Sequence, residues 1–321
     1  MIELVYTAAG LALLLAGGEA LVRGAVALAG RLGISPLIVG LTIVGFGTSA
    51  PEFVVSVEAA LVGSPGISLG NIVGSNIANI LLILGGAAAL WPMAVHPDAI
   101  RRDGLVMLAA TAVFVALALG GTLGRLHGAA MLVLLAAYVG WSLWSDRHGG
   151  KEAAELHREE AEAGEVIYGA PRAGWGIAAS IAGGLVGLII GARFVVDGAG
   201  GIARAAGVPD EVIGLTLVAV GTSLPELITS LAAARRGEAD VAIGNVLGSN
   251  IFNLLGIGGV AALVAPMAVP PAILHVDLWV LAAVSAITVA VMLSGLRIVR
   301  AEGWVLVAIY AGYVAWEFAG P

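Results

Sequence analysis

Apolar residues run along this chain in long unbroken blocks, with no polar face recurring inside them. A helix that crosses a bilayer needs about 20 mainly apolar residues. Ten stretches approach or exceed that length: 3–29, 35–62, 67–90, 104–120, 127–144, 174–205, 211–234, 241–264, 276–294 and 303–319. The pattern predicts an all-α polytopic membrane protein with ten transmembrane helices. The joints between stretches are short, with one exception. Between 145 and 173 the chain carries Asp146, Glu152, Glu155, Glu159, Glu160, Glu162 and Glu165 against Arg147, Lys151, Arg158 and Arg172. This acidic, solvated segment divides the chain into a first five-helix half (1–144), a loop (145–173) and a second five-helix half (174–321).

The halves are copies. Shifted by 174 residues, GLTIVGFGTSAPEF (40–53) lies over GLTLVAVGTSLPEL (214–227), with nine of fourteen positions identical. In the same register LGNIVGSNIANILL (69–82) lies over IGNVLGSNIFNLLG (243–256), with eight of fourteen identical. Five spans is an odd number, so the second copy enters the membrane the other way up. Two inverted five-helix repeats are an architecture of alternating-access transporters, with the site near the midplane between copies.

Composition narrows the class further. Of 321 residues 60% are hydrophobic, 12% are charged and none is cysteine. Soluble domains run nearer 45–50% apolar and about 25% charged. The absence of cysteine excludes disulfide frameworks and thiolate metal centres. A net charge of −7 with no basic stripe excludes a nucleic-acid partner. Lys and Arg accumulate in cytoplasmic loops. With Arg23 and Arg193 set aside inside spans, eleven basic residues fall on one side of the predicted topology: Arg31, Arg101, Arg102, Arg147, Lys151, Arg158, Arg172, Arg235, Arg236, Arg297 and Arg300. Only Arg125 and Arg204 fall on the other. The asymmetry predicts both termini outside and loop 145–173 in the cytoplasm.

Each copy carries a carboxylate where a span should be wholly apolar, Glu52 in the second and Glu226 in the seventh. A charge there is costly and by default marks a functional site. Pro51 and Pro225 directly precede them, and a proline inside a helix frees backbone carbonyls one turn back. Thr48 and Ser49, with Thr222 and Ser223, place hydroxyls at the same breaks. In the following span Asn71, Ser75 and Asn79 are spaced i, i+4, i+8 on one helix face, and Asn245, Ser249 and Asn253 repeat the pattern. Asn71 and Asn245 are expected to be the more structural members. Carboxylates, hydroxyls, amides and freed carbonyls make an all-oxygen cage suited to a hard cation. Two other charge pairs, Glu19/Arg23 and Arg193/Asp197, are spaced i, i+4, so each can neutralise itself on one helix face, and a structural or gating role is expected in preference to direct ion contact. Glu58 has Ala232 as its counterpart and is not expected to be a ligand.

GTSAPE with GNIVGSNIAN, duplicated as GTSLPE with GNVLGSNIFN, resembles the two alpha-repeats of the sodium/calcium exchanger family, prokaryotic type, within the calcium/cation antiporters. The resemblance covers nearly the whole chain. It implies a rigid core of spans 2, 3, 7 and 8, across which the long spans 1 and 6 slide. It implies a secondary active antiporter of the cell (inner) membrane that exports Ca²⁺ in exchange for Na⁺. Carried onto matching positions, it implies that Glu52, Glu226, Thr48 and Thr222 bind Ca²⁺. The Na⁺ sites would use the carbonyls of Gly45 and Ala219 with Ser49, Ser223, Ser75, Ser249 and Asn79, sharing the glutamates. The Asn253 position is often aspartate in the family and here is an amide, counted with the ion site. Two glutamates balance one Ca²⁺ but leave three Na⁺ with an excess of +1, so fewer Na⁺, or protons on the glutamates, are open alternatives. The expected partners are Ca²⁺, Na⁺ and the bilayer, with no cofactor and no obligate protein partner.

Other classes fit less well. TIVGFG (42–47) is similar to a potassium-channel filter, but the second copy reads TLVAVG, and inverted copies cannot form a ring of parallel carbonyls. An intramembrane enzyme would need a nucleophile–base pair or an HExxH-type ligand set, and neither is present.

Overall fold

A computed structural model describes residues 2–34, 36–97, 103–147, 173–205 and 219–319. Residues 148–172 of the acidic loop, and 211–218 at the start of the seventh apolar stretch, lie outside the described residues. A helix stands on the described part of every apolar stretch. The first half holds α1 (Ile2–Leu32), a second stretch broken into α2 (Gly40–Thr48) and α3 (Ala50–Leu61), then α4 (Pro65–Leu90), α5 (Leu105–Ala118) and α6 (Arg125–Arg147). The second half holds α7 (Gly174–Ala205), a broken stretch with α8 (Ala219–Thr222) and α9 (Leu224–Arg235), then α10 (Ala239–Val264), α11 (Ile273–Gly295) and α12 (Arg300–Ala319). Among the described residues five helices are long and apolar enough to cross a membrane unaided, and six if α2 and α3 form one bent span.

Four short strands reveal how the halves interlock. β1 (Met93–Ala94) pairs antiparallel with β4 (Arg297–Ile298), and β2 (Thr122–Leu123) with β3 (Met267–Ala268). Each sheet therefore joins one half to the other, and the repeat operation maps one sheet onto its counterpart. β1 follows α4 and β2 follows α5, so α5 carries the chain from a first face, holding β1 and β4, to a second face, holding β2 and β3. The end of α4 lies on the first face while the end of its copy, α10, lies on the second. This is the inversion that the odd span count implied.

Helix packing crosses between halves in the same way. Gly303 of α12 lies so near α4 that a β-carbon built on it would stand 2.4 Å from the Ala89 nitrogen and 2.6 Å from the Gly85 carbonyl oxygen. A β-carbon on Gly128 of α6 would likewise stand 2.5 Å from the Gly259 carbonyl oxygen and 2.7 Å from the Leu263 nitrogen of α10, the repeat counterparts of Gly85 and Ala89. Without a hydrophobic force between helices in lipid, such close backbone approach through small residues is the main source of cohesion. α1 and α7 pack along a seven-residue glycine spacing, Gly10, Gly17 and Gly24 against Gly184, Gly191 and Gly198. A β-carbon on Gly17 would stand 2.9 Å from the Gly184 oxygen, and one on Gly191 2.9 Å from the Gly10 oxygen. Thr111 and Ser285, equivalent residues of the two copies, touch at 3.4 Å and so mark the pseudo-two-fold axis.

The contact at Gly303 leaves no room for a side chain. Gly303→Leu should lower stability by about 1–3 kcal/mol through overpacking. Gly86→Ala, in α4 where nothing lies within 4 Å of an added β-carbon, should leave it unchanged or slightly raised. Thermal unfolding of both variants in detergent checks the difference.

Candidate ion-binding site

The second stretch bends by 53° between α2 and α3, at Ser49. Ser49 has φ −78° and ψ 9°, and Ser223, at the matching break before α9, has φ −89° and ψ 5°. The cause is local. Pro51 and Pro225 sit in the first two positions of α3 and α9, where a missing N–H is tolerated but an uninterrupted helix is not. Each break therefore creates a helix N-terminus inside the protein. Glu52 and Glu226 stand in the first turns of those helices, where the macrodipole favours negative charge.

The two carboxylates are held reciprocally. The Ser49 hydroxyl donates to Glu226 Oε1 at 2.8 Å, and the Ser223 hydroxyl donates to Glu52 Oε1 at 2.9 Å. Each glutamate is thus clasped by the serine at the other copy's break. Glu52 is 2% exposed and Glu226 1%. Their remaining oxygens, Glu52 Oε2 and Glu226 Oε2, are buried with no hydrogen-bond partner among the described residues.

The next helices hold this arrangement in place. Asn71 Nδ2 of α4 donates to the Glu52 carbonyl at 3.2 Å and to Ser56 Oγ at 2.8 Å. Asn245 Nδ2 of α10 does the same to the Glu226 carbonyl at 3.2 Å and Ser230 Oγ at 2.9 Å. Asn245 Oδ1 also accepts from the Thr48 hydroxyl at 3.1 Å. Ser249 Oγ donates to the Gly45 carbonyl at 3.1 Å, and the same carbonyl accepts from Thr48 Oγ1 at 3.3 Å. The bonds thus group Gly45 with Thr48 and Ser249, Ser49 with Glu226, and Ser223 with Glu52, and Asn245 links the first two groups. Thr222 is buried and lines a cavity with Pro51. Ala219 opens the short helix that corresponds to Gly45–Thr48. Ser75 is buried on α4.

Asn79 and Asn253 lie at a further irregularity. π-helical turns span Asn79–Leu84 and Phe252–Ile257, at equivalent places in the two copies. Such single π turns recur at functional sites because they re-aim side chains and disturb carbonyl pairing. Asn79 Oδ1 is buried and unpartnered among the described residues, as are both amide atoms of the fully buried Asn253. A folded protein rarely leaves so many buried oxygens unsatisfied, and each calls for an explanation. A cation supplies one, since carboxylate, amide, hydroxyl and carbonyl oxygens are the donors that Na⁺ and Ca²⁺ take.

The structure adds residues that pattern reading missed. Asn250, fully buried, accepts from Asn79 Nδ2 at 3.0 Å, and its repeat counterpart Asn76 is also fully buried. Both stand in the duplicated GSN triplets, which was the available signal. Asp103 accepts from the Tyr138 hydroxyl at 3.0 Å and Asp277 from that of Tyr313 at 3.0 Å, another duplicated pair, at predicted span ends where charge looked unremarkable. One expectation needs correction. Glu19 does pair with Arg23, at 2.9 Å, but it also meets Arg235 and Arg236 of the second copy. Among the described residues no ion pair joins Arg193 to Asp197, and both line a cavity instead. Glu58 is exposed on α3, away from the clasp.

Two inverted helical repeats around a pair of clasped intramembrane carboxylates define an integral membrane transporter. The family model for the sodium/calcium exchanger protein matches residues 2–144 and 176–319. The chain is 36% identical over 310 residues to the inner membrane protein YrbG of Escherichia coli, covering 96% of this chain and 93% of that one. It is 34% identical over 335 residues to the sodium/calcium exchanger MaX1 of Methanosarcina acetivorans, covering 95% of each. Its fold superposes on the sodium-calcium exchanger NCX_Mj, from a structure soaked with Na⁺ and Ca²⁺, with a TM-score of 0.83, 31% identity and 98% coverage of each chain. The chain belongs to the sodium/calcium exchanger family.

Asn245 and Asn71 are equivalent by sequence but not by load. Asn245 is fully buried and makes three side-chain bonds, whereas Asn71 is partly buried and makes two. Asn245→Ala should cost about 2–3 kcal/mol and Asn71→Ala about 1–2, from the buried groups left unpaired. Thermal unfolding of the two variants against wild type checks the order.

Proposed function

We propose that this protein exports Ca²⁺ in exchange for Na⁺, by alternating access at an all-oxygen site midway through the membrane. The observation that carries the reading is the pair of buried, unpartnered oxygens Glu52 Oε2 and Glu226 Oε2 between two internal helix ends. Glu52, Glu226, Thr48 and Thr222 bind Ca²⁺. The Gly45 and Ala219 carbonyls, with Ser49, Ser223, Ser75, Ser249, Asn79 and Asn253, hold Na⁺ around the same two glutamates. Ser49 and Ser223 hydroxyls can rotate and turn a lone pair toward an arriving cation. Because both ions need the same carboxylates, binding one excludes the other. Two formal negative charges balance one Ca²⁺ or two Na⁺, and Asn253 adds an acceptor without charge. A third Na⁺ would have to be offset by carbonyl and helix-end dipoles. Carrying the unoccupied, doubly negative cage through a closed low-dielectric state is costly, so passage between faces follows occupancy.

The halves 1–144 and 174–321 each form a five-span repeat, joined by loop 145–173. We place that loop in the cytoplasm and both termini outside, in the cell (inner) membrane. The support is the eleven-to-two distribution of Lys and Arg between the two sides. In this orientation the first face is cytoplasmic.

In proteoliposomes loaded with Na⁺, wild type should take up Ca²⁺, and loading with K⁺ or imposing a pH gradient should not replace Na⁺. Glu52→Gln or Glu226→Gln should reduce this flux to background while the protein still folds, since Gln keeps size but removes charge. Glu58→Gln should be nearly silent. Near-normal Ca²⁺ uptake in either site variant would remove these carboxylates from the site.

The orientation has its own test, helped by the absence of native cysteine. An impermeant thiol reagent should reach Ala154→Cys only from the cytoplasmic side and Gly121→Cys only from outside. Labelling of Ala154→Cys from outside would reverse the topology.

A further inference from the structure

The two copies share a sequence pattern but differ in how α1 and α7 sit on the broken helices. Gly18 of α1 lies against Ile228 of α9, and a β-carbon built on Gly18 would stand 2.8 Å from Ile228 Cγ2. Their counterparts under the 174-residue shift are Ala192 and Val54. Those two are parted by a cavity of about 250 Å³, which Pro51, Thr222, Arg193 and Asp197 also line. α9 ends on the first face, because Asp240 just beyond it lies 3.7 Å from His96, just beyond β1. α3 ends on the second face, because Gly66 just beyond it lies near Pro270, just beyond β3. The protein is therefore closed between α1 and α9 toward the first face, with the cavity leading from Thr222 toward the second.

A charged contact sits on the closed side. Glu19, next to Gly18, accepts from Arg236 Nε at 2.9 Å on one oxygen, and a second Arg236 nitrogen contacts the other. Arg23 of the same helix bonds to it at 2.9 Å, and Arg235 lies at 3.5 Å. Arg236 also faces Glu238. The Arg236 side chain is 9% exposed and that of Glu19 24%, so this fork is poorly screened by water. The shift that relates the copies replaces Glu19 and Arg23 by Arg193 and Asp197, and replaces Arg235 and Arg236 by Leu61 and Val62. The equivalent positions of the second face therefore carry no such contact.

We propose that the Glu19–Arg236 fork is a one-sided latch, tying α1 to α9 and biasing the exchanger toward the state closed at the first face. The inference rests on the alternating-access reading above. Opening the first face moves α1 from α9 and parts Glu19 from Arg236, leaving Glu19 with Arg23 of its own helix, and the equivalent positions on the other side offer no carboxylate–guanidinium contact to offset this. The latch touches none of the ion ligands, so it acts on the balance between states without changing the site itself.

Equivalent reporters test it. Val55 lines the cavity, and its counterpart Thr229 is fully buried on the closed side. Val55→Cys and Thr229→Cys are each placed in wild type, in Glu19→Gln, in Arg236→Gln and in the charge-conserving Arg236→Lys. Labelling by an impermeant thiol reagent is followed in proteoliposomes, with Na⁺ or Ca²⁺ present. With either glutamine change, labelling of Thr229→Cys from the first face should rise about ten-fold and that of Val55→Cys should fall, as for a shift of about 1.4 kcal/mol between states. Arg236→Lys, which keeps the charge opposite Glu19 and beside Glu238, should bring labelling back toward the wild-type pattern. Labelling that responds to the ions but is equal in all four backgrounds overturns the latch and leaves the exchange reading standing. Labelling that ignores Na⁺ and Ca²⁺ in every background overturns the exchange reading and the latch with it.

Discussion

Two carboxylates buried within one membrane-embedded core repel each other and have almost no water to solvate them, and the structure is organised around making that tolerable. Neither copy can do so alone. Glu52 depends on Ser223, and Glu226 depends on Ser49, so each charge is satisfied across the interface between copies. The helix breaks at Ser49 and Ser223 serve the same end, since each presents an N-terminus to its own glutamate. Asn71 and Asn245 then fix the backbone of the two glutamates to the neighbouring helices. What is left without a partner among the described residues is one oxygen on each carboxylate, together with the amide oxygens of Asn79 and Asn253. Those oxygens are the ones on which the proposed cation site rests.

Interlocking follows from the same reciprocity. α12 packs on α4 and α6 on α10 through backbone contacts at Gly303 and Gly128, and both small sheets join one copy to the other. This ties the carboxylate-bearing helices into one body. α1 and α7 are fastened chiefly to each other, along their matched glycines, and meet the rest of the protein at the broken helices. The division between a cross-braced core and a paired outer element is thus a matter of where backbones approach closely. It is along this seam that the copies differ, with Gly18 in contact with Ile228 on one side and Ala192 parted from Val54 on the other.

Much was legible in the sequence because the membrane makes its demands locally. Ten apolar blocks, a duplicated GTS-x-PE and GSN-x-x-N pattern, a charge beside a proline in each copy and the imbalance of basic loops are all statements about composition along a line. Lipid cannot satisfy a stray polar group, so a polar residue inside a span already implies a partner or a ligand. Glu52, Glu226 and the hydroxyls of Thr48, Ser49, Thr222 and Ser223 could be singled out on that ground alone.

The identity of each partner was not in the line. Spacing suggested that Glu19 and Arg23 close on each other and that Arg193 and Asp197 do likewise. In the folded chain Glu19 reaches across to Arg236, some two hundred residues away, while Arg193 and Asp197 face a cavity. The i, i+4 rule describes one helix, whereas a charge in a membrane bonds to whichever helix the fold brings nearest. Asn250 and the Asp103–Tyr138 and Asp277–Tyr313 pairs escaped notice for the same reason, because each becomes meaningful only beside its partner. The sequence by itself determined the repeat, the inversion and the two carboxylates set inside the apolar spans. Only the tertiary structure decided which serine clasps which glutamate and which face is shut, because two near-identical copies must still pack in one asymmetric arrangement at a time.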